Sequence, residues 1–271
     1  MHHTLKSSSF ISNLFVLVSA FTLLSCERRA TPTLPQSQTT LPGAASGSPI
    51  EAIITTALND PESLQNISFA DVIHASSGKE VIAMDLNQNE DAELIEALSD
   101  AITRVMERFN RPDSPTSAEK RINEVSKHFE KALQIEINST DGFLCAAPRT
   151  ATGKTQRSGY PDLRIVHQET GRVSYLDPKL IAAGSIHSSL RTFYFTPKKE
   201  SGKILDDAHH LLIGIEHDSH NGAWKFTKWR LVDLSGLKIR LKPEFQASNK
   251  DIYLKERILI ENQPEIAAKS K

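Results

Sequence analysis

Apolar and polar positions recur with different periods along this chain, and each period predicts a different element. Phe10 to Leu24 is a mostly apolar run with no polar face. Ile50 to Leu58 predicts a short helix. Asp91 to Phe109 predicts a longer one, because Leu94, Ile95, Leu98, Ile102, Val105, Met106 and Phe109 return every three or four residues. Arg111-Pro112-Asp113-Ser114-Pro115-Thr116 breaks that rhythm and marks a boundary. Ser117 then caps a helix expected over Ala118 to Ile135, with Ile122, Val125, Phe129, Ala132 and Leu133 in one stripe. Beyond it the period shortens to two. Tyr160 to Val166 and Arg172 to Leu180 read as strands joined by a polar connection ending at Gly171, and Val173, Tyr175, Asp177 and Lys179 share a face. Ser189 to Phe195, Leu211 to Glu216 and Trp224 to Val232 read as three more strands.

Composition narrows the class without changing this outline. A chain of 271 residues that is 39% hydrophobic and 24% charged is neither fibrous, wholly disordered nor a multi-span membrane protein. Its net charge of -1 hides an asymmetry. Residues 27–140 carry 10 basic and 18 acidic side chains, whereas residues 141–271 carry 21 and 15. A basic rear half is the part suited to a polyanion.

The N-terminal run is too short to span a bilayer and has the length of an export signal. It ends at Leu23-Leu24-Ser25-Cys26, which resembles the lipobox of bacterial lipoproteins. That resemblance implies a signal peptide over 1–26, cleavage before Cys26, and acylation (palmitate among the chains) that fixes the protein to the cell envelope. Residues 27–49, with Pro32, Pro35, Pro42 and Pro49 among small polar residues, read as a disordered tether. Cys145 would then be the one cysteine of the mature chain, a buried thiol with no disulfide partner.

Three places could hold a metal. Asp85-Leu86-Asn87-Gln88-Asn89 with Glu96 partly matches a calcium loop, but Glu90 stands where the turn needs glycine. Capping of the next helix by Asn87 or Asn89 is the better reading. His209, His210, His217 and His220, with Glu216 and Asp218, crowd twelve residues yet match no common zinc spacing. The hairpin is stronger. If Val166 pairs with Arg172, Asp162 falls opposite Leu176, beside Asp177, and two carboxylates and an ammonium gather at one end. Two such acids with a backbone carbonyl suit Mg²⁺, and a neighbouring lysine could act on a water or a phosphoryl oxygen.

Pro161-Asp162, then Asp177-Pro178-Lys179, resembles the PD-(D/E)xK signature of the restriction-endonuclease-like nucleases. The resemblance covers about residues 116–245. It implies an α/β fold in which a mixed central β-sheet is flanked by helices, with the motif on two central antiparallel strands. The domain would span 116–260, after a helical module at 50–112 and before a tail at 261–271. By the same resemblance Asp162, Asp177 and the Pro178 carbonyl are the metal ligands, Lys179 assists the attacking water, and the preceding helix adds Glu124 or Glu130. Mg²⁺ is the implied cofactor, with Mn²⁺ an acceptable substitute. Candidate DNA contacts are Lys154 and Arg157 in a glycine-bounded loop, Arg191, and Lys225 and Lys228 on a strand whose tryptophans belong in the core. The expected partners are DNA, the membrane through Cys26, and a second copy of the chain. The expected activity is metal-dependent endonucleolytic cleavage of DNA at the envelope. The alternative is a non-enzymatic envelope lipoprotein that keeps this fold to bind a partner.

Overall fold

The computed structural model describes residues 49–156, 158–198, 201–220, 223–242, 244 and 246–260. The export signal, Cys26, most of the tether, Arg157 and the 261–271 tail lie outside the described residues. In chain order the elements are α1 (Pro49–Asn59), β1 (Ile67–Ser68), α2 (Phe69–Ser77), β2 (Val81–Ile82), α3 (Asn89–Phe109), α4 (Ile122–Asn138), β3 (Phe143–Ala146), β4 (Leu163–His167), β5 (Val173–Ala182), β6 (Ala208–His220), β7 (Ala223–Asp233), β8 (Lys238–Ile239) and α5 (Asn249–Ile252). A 3₁₀ turn follows at Lys255–Arg257. No helix among the described residues is long and apolar enough to cross a membrane.

The main sheet runs β2-β6-β5-β4-β3, and β7 pairs with β6 on the side that β2 begins. β3, β4 and β5 are antiparallel, β5 and β6 parallel, β6 and β7 antiparallel. This is the mixed α/β sheet expected, with β4 and β5 near its centre. One face is covered by α3 and α4. Leu98, Ile102, Val105 and Phe109 of α3 and Val125, Phe129 and Leu133 of α4 pack there with Leu163, Ile165, Leu176, Leu211, Ile213 and Ile215. Phe129 meets both Phe109 and Phe226 edge-on with centroids 4.7 Å apart. Such ring pairs add about 0.5–1.5 kcal/mol each beyond simple burial. Asn110 closes this corner, its side-chain amide donating to Phe226 O at 2.8 Å and accepting from Phe226 N at 2.8 Å. Residues 89–109 therefore share one core with residues 122–138. The opposite face carries Tyr175 and His210 under Phe69 of α2 and under Phe193 and Phe195 of the β5–β6 crossover.

Several expectations change. The hairpin register is one residue off: Val166 pairs with Val173, not Arg172, because His167 N donates to Arg172 O and Gly171 N to His167 O, which closes the turn one position later. Ser189 to Phe195 forms no strand; Phe193 and Phe195 roof Phe69 instead, while Leu190 and Tyr194 are exposed. α4 starts at Ile122, since the Ser117 hydroxyl donates to Ser114 O in a separate turn and Arg121 is the N-cap. Neither Asn87 nor Asn89 caps α3. Gln88 holds that position without a side-chain bond, and Asp91 accepts from Asp85 N at 2.7 Å. Asp85 in turn accepts from Asn87 N at 3.0 Å, so the stretch that partly matches a calcium loop is a self-bonded turn.

Asp91 is also where the acidic front meets the basic rear. Its carboxylate, 1% exposed, receives Arg172 Nη1 at 2.6 Å and lies 3.1 Å from His209 Nε2. Arg172 Nη2 donates to Gln88 Oε1 at 3.0 Å and the His209 ring meets Ile82 O at 3.0 Å. Removing one partner of a buried pair leaves the other charge without compensation. Asp91→Ala should cost about 3 kcal/mol in urea unfolding. Leu144→Ala, at a side chain 53% exposed on β3, should stay within about 0.5 kcal/mol.

Candidate active site

The Leu163↔Leu176 rung is the last between β4 and β5, so one step further the strands bring Asp162 opposite Asp177. The corrected register improves on the expected one, since the acids now face each other directly. Asp162, Asp177 and Lys179 lie on the sheet face away from α3 and α4 by the alternation that places Leu163 and Leu176 in the core on the other side. β5 continues past Asp177 with only β6 beside it (Pro178↔Ile213), which suits a residue lacking an N–H. The carbonyl of Pro178 lies on this half-open stretch between the two motif side chains.

Lys179 Nζ is in direct contact with Asp177 Oδ2 and lies 3.8 Å from Asp162 Oδ2. One ammonium thus bridges both carboxylates, and the pair is close enough to share a single cation. Asp177 is 2% exposed. Burial pushes its carboxyl up to about 7; Lys179 pulls it down, and Asp162 raises it further. Desolvation wins over the ion pair here. No cluster of three or more His, Cys, Asp or Glu side chains fit for a metal occurs among the described residues. A cation at the acid pair would be completed by a backbone carbonyl and water, a donor set that suits Mg²⁺.

The turn that delivers Asp162 is held from two sides. Gly159 adopts φ +86°, and the Tyr160–Pro161 bond is cis. Tyr160 Oη is hydrogen-bonded to His210 Nδ1 at 2.7 Å. Burial pushes the His210 imidazole down to about 4 and the Tyr160 phenol well up, so both are neutral at pH 7. The Lys203 ammonium donates to Gly159 O at 2.5 Å and Pro161 O at 2.9 Å.

The other candidates fall as follows. Glu124 accepts from Arg121 N at 3.3 Å in the first turn of α4. Glu130, further along, is the helix acid whose charge acts on Lys203 together with Asp162 and Asp177. Lys154 is exposed in the Thr150–Lys154 turn, and Arg191 lies over the Tyr194 ring at 4.4 Å in the exposed crossover. Trp224 and Trp229 pack on the core, as expected. Lys225 and Lys228 are exposed and pair with Asp218 and Glu216. A bulge between them inserts Thr227, so both lie on the acid-pair face, where strict alternation would have split them. Arg230, not foreseen, lies on the same face: its strand partner Gly214 is also the partner of Lys179. Arg230 Nη1 donates to Glu216 Oε1 at 2.5 Å. Lys203 was missed as well, for it lies in an irregular crossover with no periodicity to mark it.

His209, His210 and His217 do not converge on a zinc site, and the His220 side chain lies outside those described. His209 turns towards Ile82 and Asp91, His210 towards Tyr160 on the other face, and His217 packs edge-on to Trp224. Cys145 is buried, and burial pushes its thiol up to about 12, so it is no nucleophile at neutral pH.

Residues 63–256 match the family described as Type II restriction enzyme MjaV. The Type II restriction enzyme MjaV of Methanocaldococcus jannaschii is 35% identical over 222 residues, covering 78% of this chain and 94% of that protein.

The raised Asp177 carboxyl carries a signature in stability. The native group keeps its proton to about pH 7, whereas the unfolded one releases it near 3.8. Between those values the native state binds more protons, so stability falls as pH rises and stays lost above pH 7. Asp177→Asn should therefore match the native chain near pH 4 in metal-free buffer and exceed it at pH 8 by on the order of a few kcal/mol. Urea midpoints across that range check the crossover; parallel curves would contradict it.

Proposed function

The chain belongs to the Type II restriction enzyme MjaV family, and from that premise we propose that it is a divalent-metal-dependent endonuclease hydrolysing phosphodiester bonds of DNA. The observation that carries this reading is the single Lys179 ammonium bridging Asp162 and Asp177 at the open end of the central strand pair. Asp162, Asp177 and the Pro178 carbonyl are the groups suited to hold Mg²⁺ or Mn²⁺. The ion would supply positive charge against the phosphoryl oxygens and make water more acidic.

This chain's residues supply the rest. Above about pH 7 Asp177 is an anion and can accept hydrogen bonds or a cation. Lys179 Nζ, no longer needed to neutralise both acids, can turn its N–H groups to an attacking water or to a phosphoryl oxygen whose charge grows in the transition state. The water oxygen attacks phosphorus, a P–O ester bond breaks, and the departing oxygen takes a proton. Glu130 of α4, whose charge reaches Lys203, would act on the site only at that longer range. Lys225, Lys228 and Arg230 line the same sheet face and would carry backbone phosphates past the acid pair. Lys154 and Arg191, from two exposed loops, would flank it.

The envelope tether belongs to the same proposal. Cleavage and acylation at Cys26 would hang the enzyme on 27–49 at a membrane surface, where entering DNA is the polyanion it would meet. A second copy of the chain would place one acid pair on each strand of a duplex.

Plasmid cleavage in Mg²⁺ tests the reading. Asp162→Ala, Asp177→Ala and Lys179→Ala should each lower the rate by about 10²–10³-fold. Equal rates in all four proteins would assign the activity elsewhere. Lys228→Ala should leave the metal requirement intact, weaken DNA binding, and reduce the slope of log affinity against log salt by about one.

A further inference from the structure

Lys203 lies in the β5–β6 crossover, outside the motif, and is 4% exposed. Both sides of it are held by hydrogen bonds, one to the 150–154 turn and the other to β4 and β5. Gly202 O accepts from Ala151 N at 3.0 Å. Three residues on, Asp206 accepts from Arg164 Nε at 2.8 Å and Nη2 at 2.9 Å. Tyr175 Oη donates to Asp206 Oδ2 at 2.7 Å and receives Leu205 N at 2.9 Å. From this anchored backbone the ammonium reaches the carbonyls of Gly159 and Pro161. The second of these is the carbonyl bonded to Asp162 N.

We propose that Lys203 is a positioning residue for Asp162, holding the 159–161 turn so that this carboxylate stays opposite Asp177 and can share a divalent ion with it. The inference rests on the nuclease reading above. Burial lowers the ammonium's proton affinity, while the charges of Asp162, Asp177 and Glu130 support it. Its hydrogen bonds, however, go to carbonyls and to neither acid, so its effect reaches the site through the backbone. Without Lys203 the buried Pro161 carbonyl loses its partner, and the bond to the Gly159 carbonyl at the exposed start of the turn is lost as well, which favours a turn that opens to water. Tyr160 Oη on His210 then remains as the turn's other anchor.

The sign of the effect separates this role from a purely electrostatic one. Deleting a positive charge beside two acids should by itself make a divalent ion bind more tightly. Loss of Asp162's position should make it bind more weakly, as supporting contacts around metal ligands do when removed.

Titration of the full chain and of Lys203→Met with MgCl₂, without DNA, reads this directly, by calorimetry and by the ion-induced rise in unfolding temperature. The expected result is a Mg²⁺ midpoint about 10–100-fold higher in Lys203→Met. A merely structural lysine would lower the unfolding temperature in chelator and leave that midpoint alone. An unchanged or lower midpoint overturns the proposal. Should Lys203→Met not fold, Lys203→Arg takes its place: it keeps the charge but spreads its donors over a planar fork, and a midpoint equal to that of the native chain overturns the proposal equally. A native chain that binds no Mg²⁺ sinks the nuclease reading itself, and the role of Lys203 with it. Binding by the native chain and an equal response in the variants sink only the role of Lys203.

Discussion

Two carboxylates facing each other at the end of a sheet, one almost fully buried, are the constraint around which this molecule is arranged. Burial and the neighbouring Asp162 both disfavour the charge of Asp177. Lys179 offsets part of that cost, but the Asp177 carboxyl still rises to about 7. A group held this far from its ordinary range destabilises the fold at neutral pH, and it persists because the surroundings leave it no other conformation. Those surroundings are specific. The β4–β5 ladder stops at Leu163↔Leu176, leaving the next pair without a ladder bond to hold it. β6 supports β5 through Ala182 on the other side. Phe69, Tyr160, Phe193 and Phe195 keep bulk water from the inner end of the same face.

The meeting of Asp162, Asp177 and Lys179 was legible because it is local. Asp162 precedes β4, Asp177 and Lys179 lie on β5, the alternation of both strands is plain, and the short connection at 168–171 leaves few registers to choose from. The error of one residue came from the turn: His167 belongs to the ladder as well as opening the loop. The long helix at 89–109 was legible for the same reason, its apolar stripe being self-consistent over five turns. What failed was wherever tertiary context decides. Ser189 to Phe195 has the composition of a strand, yet its phenylalanines are spent on covering Phe69 and no ladder forms. Lys203 reads as one more loop lysine; only the folded chain shows that it crosses from the crossover to the carbonyls that precede Asp162. Glu124 and Glu130 were indistinguishable as helix acids until the start of α4 made Glu124 a capping group.

The contrast between an acidic front and a basic rear has a structural meaning that totals conceal. Part of it is internal. Asp91, from the front, is buried against Arg172 and His209 of the rear, so opposite charges bring α3 and β2 onto the strands that carry the site. Within the front half, Arg104 links the two helices, its Nε lying 2.9 Å from Glu136. Of these pairs, Asp91–Arg172 joins a front-half acid to a rear-half base, whereas Arg104 and Glu136 both belong to the front half.

Three exposed cations of the rear half, Lys225, Lys228 and Arg230, lie on β7. A regular strand would have turned Lys225 to the opposite face from Lys228 and Arg230, and only two cations would have looked towards the acid pair. The bulge at Thr227 turns all three the same way while Phe226 stays 2% exposed in the core between the aromatic rings of α3 and α4. One inserted residue thus satisfies two demands that period-two alternation sets against each other: an apolar side chain anchored inward, and a continuous basic row outward. Glu216, paired with Arg230 within that row, keeps it from being uniformly positive. A phosphate backbone arriving there would compete with Glu216 for Arg230. It would also meet in Lys179 an ammonium already committed to two carboxylates. A near-neutral protein with this layout would hold a polyanion by a few placed cations rather than by bulk charge. Its binding would for that reason be sensitive to the one backbone irregularity that aligns them.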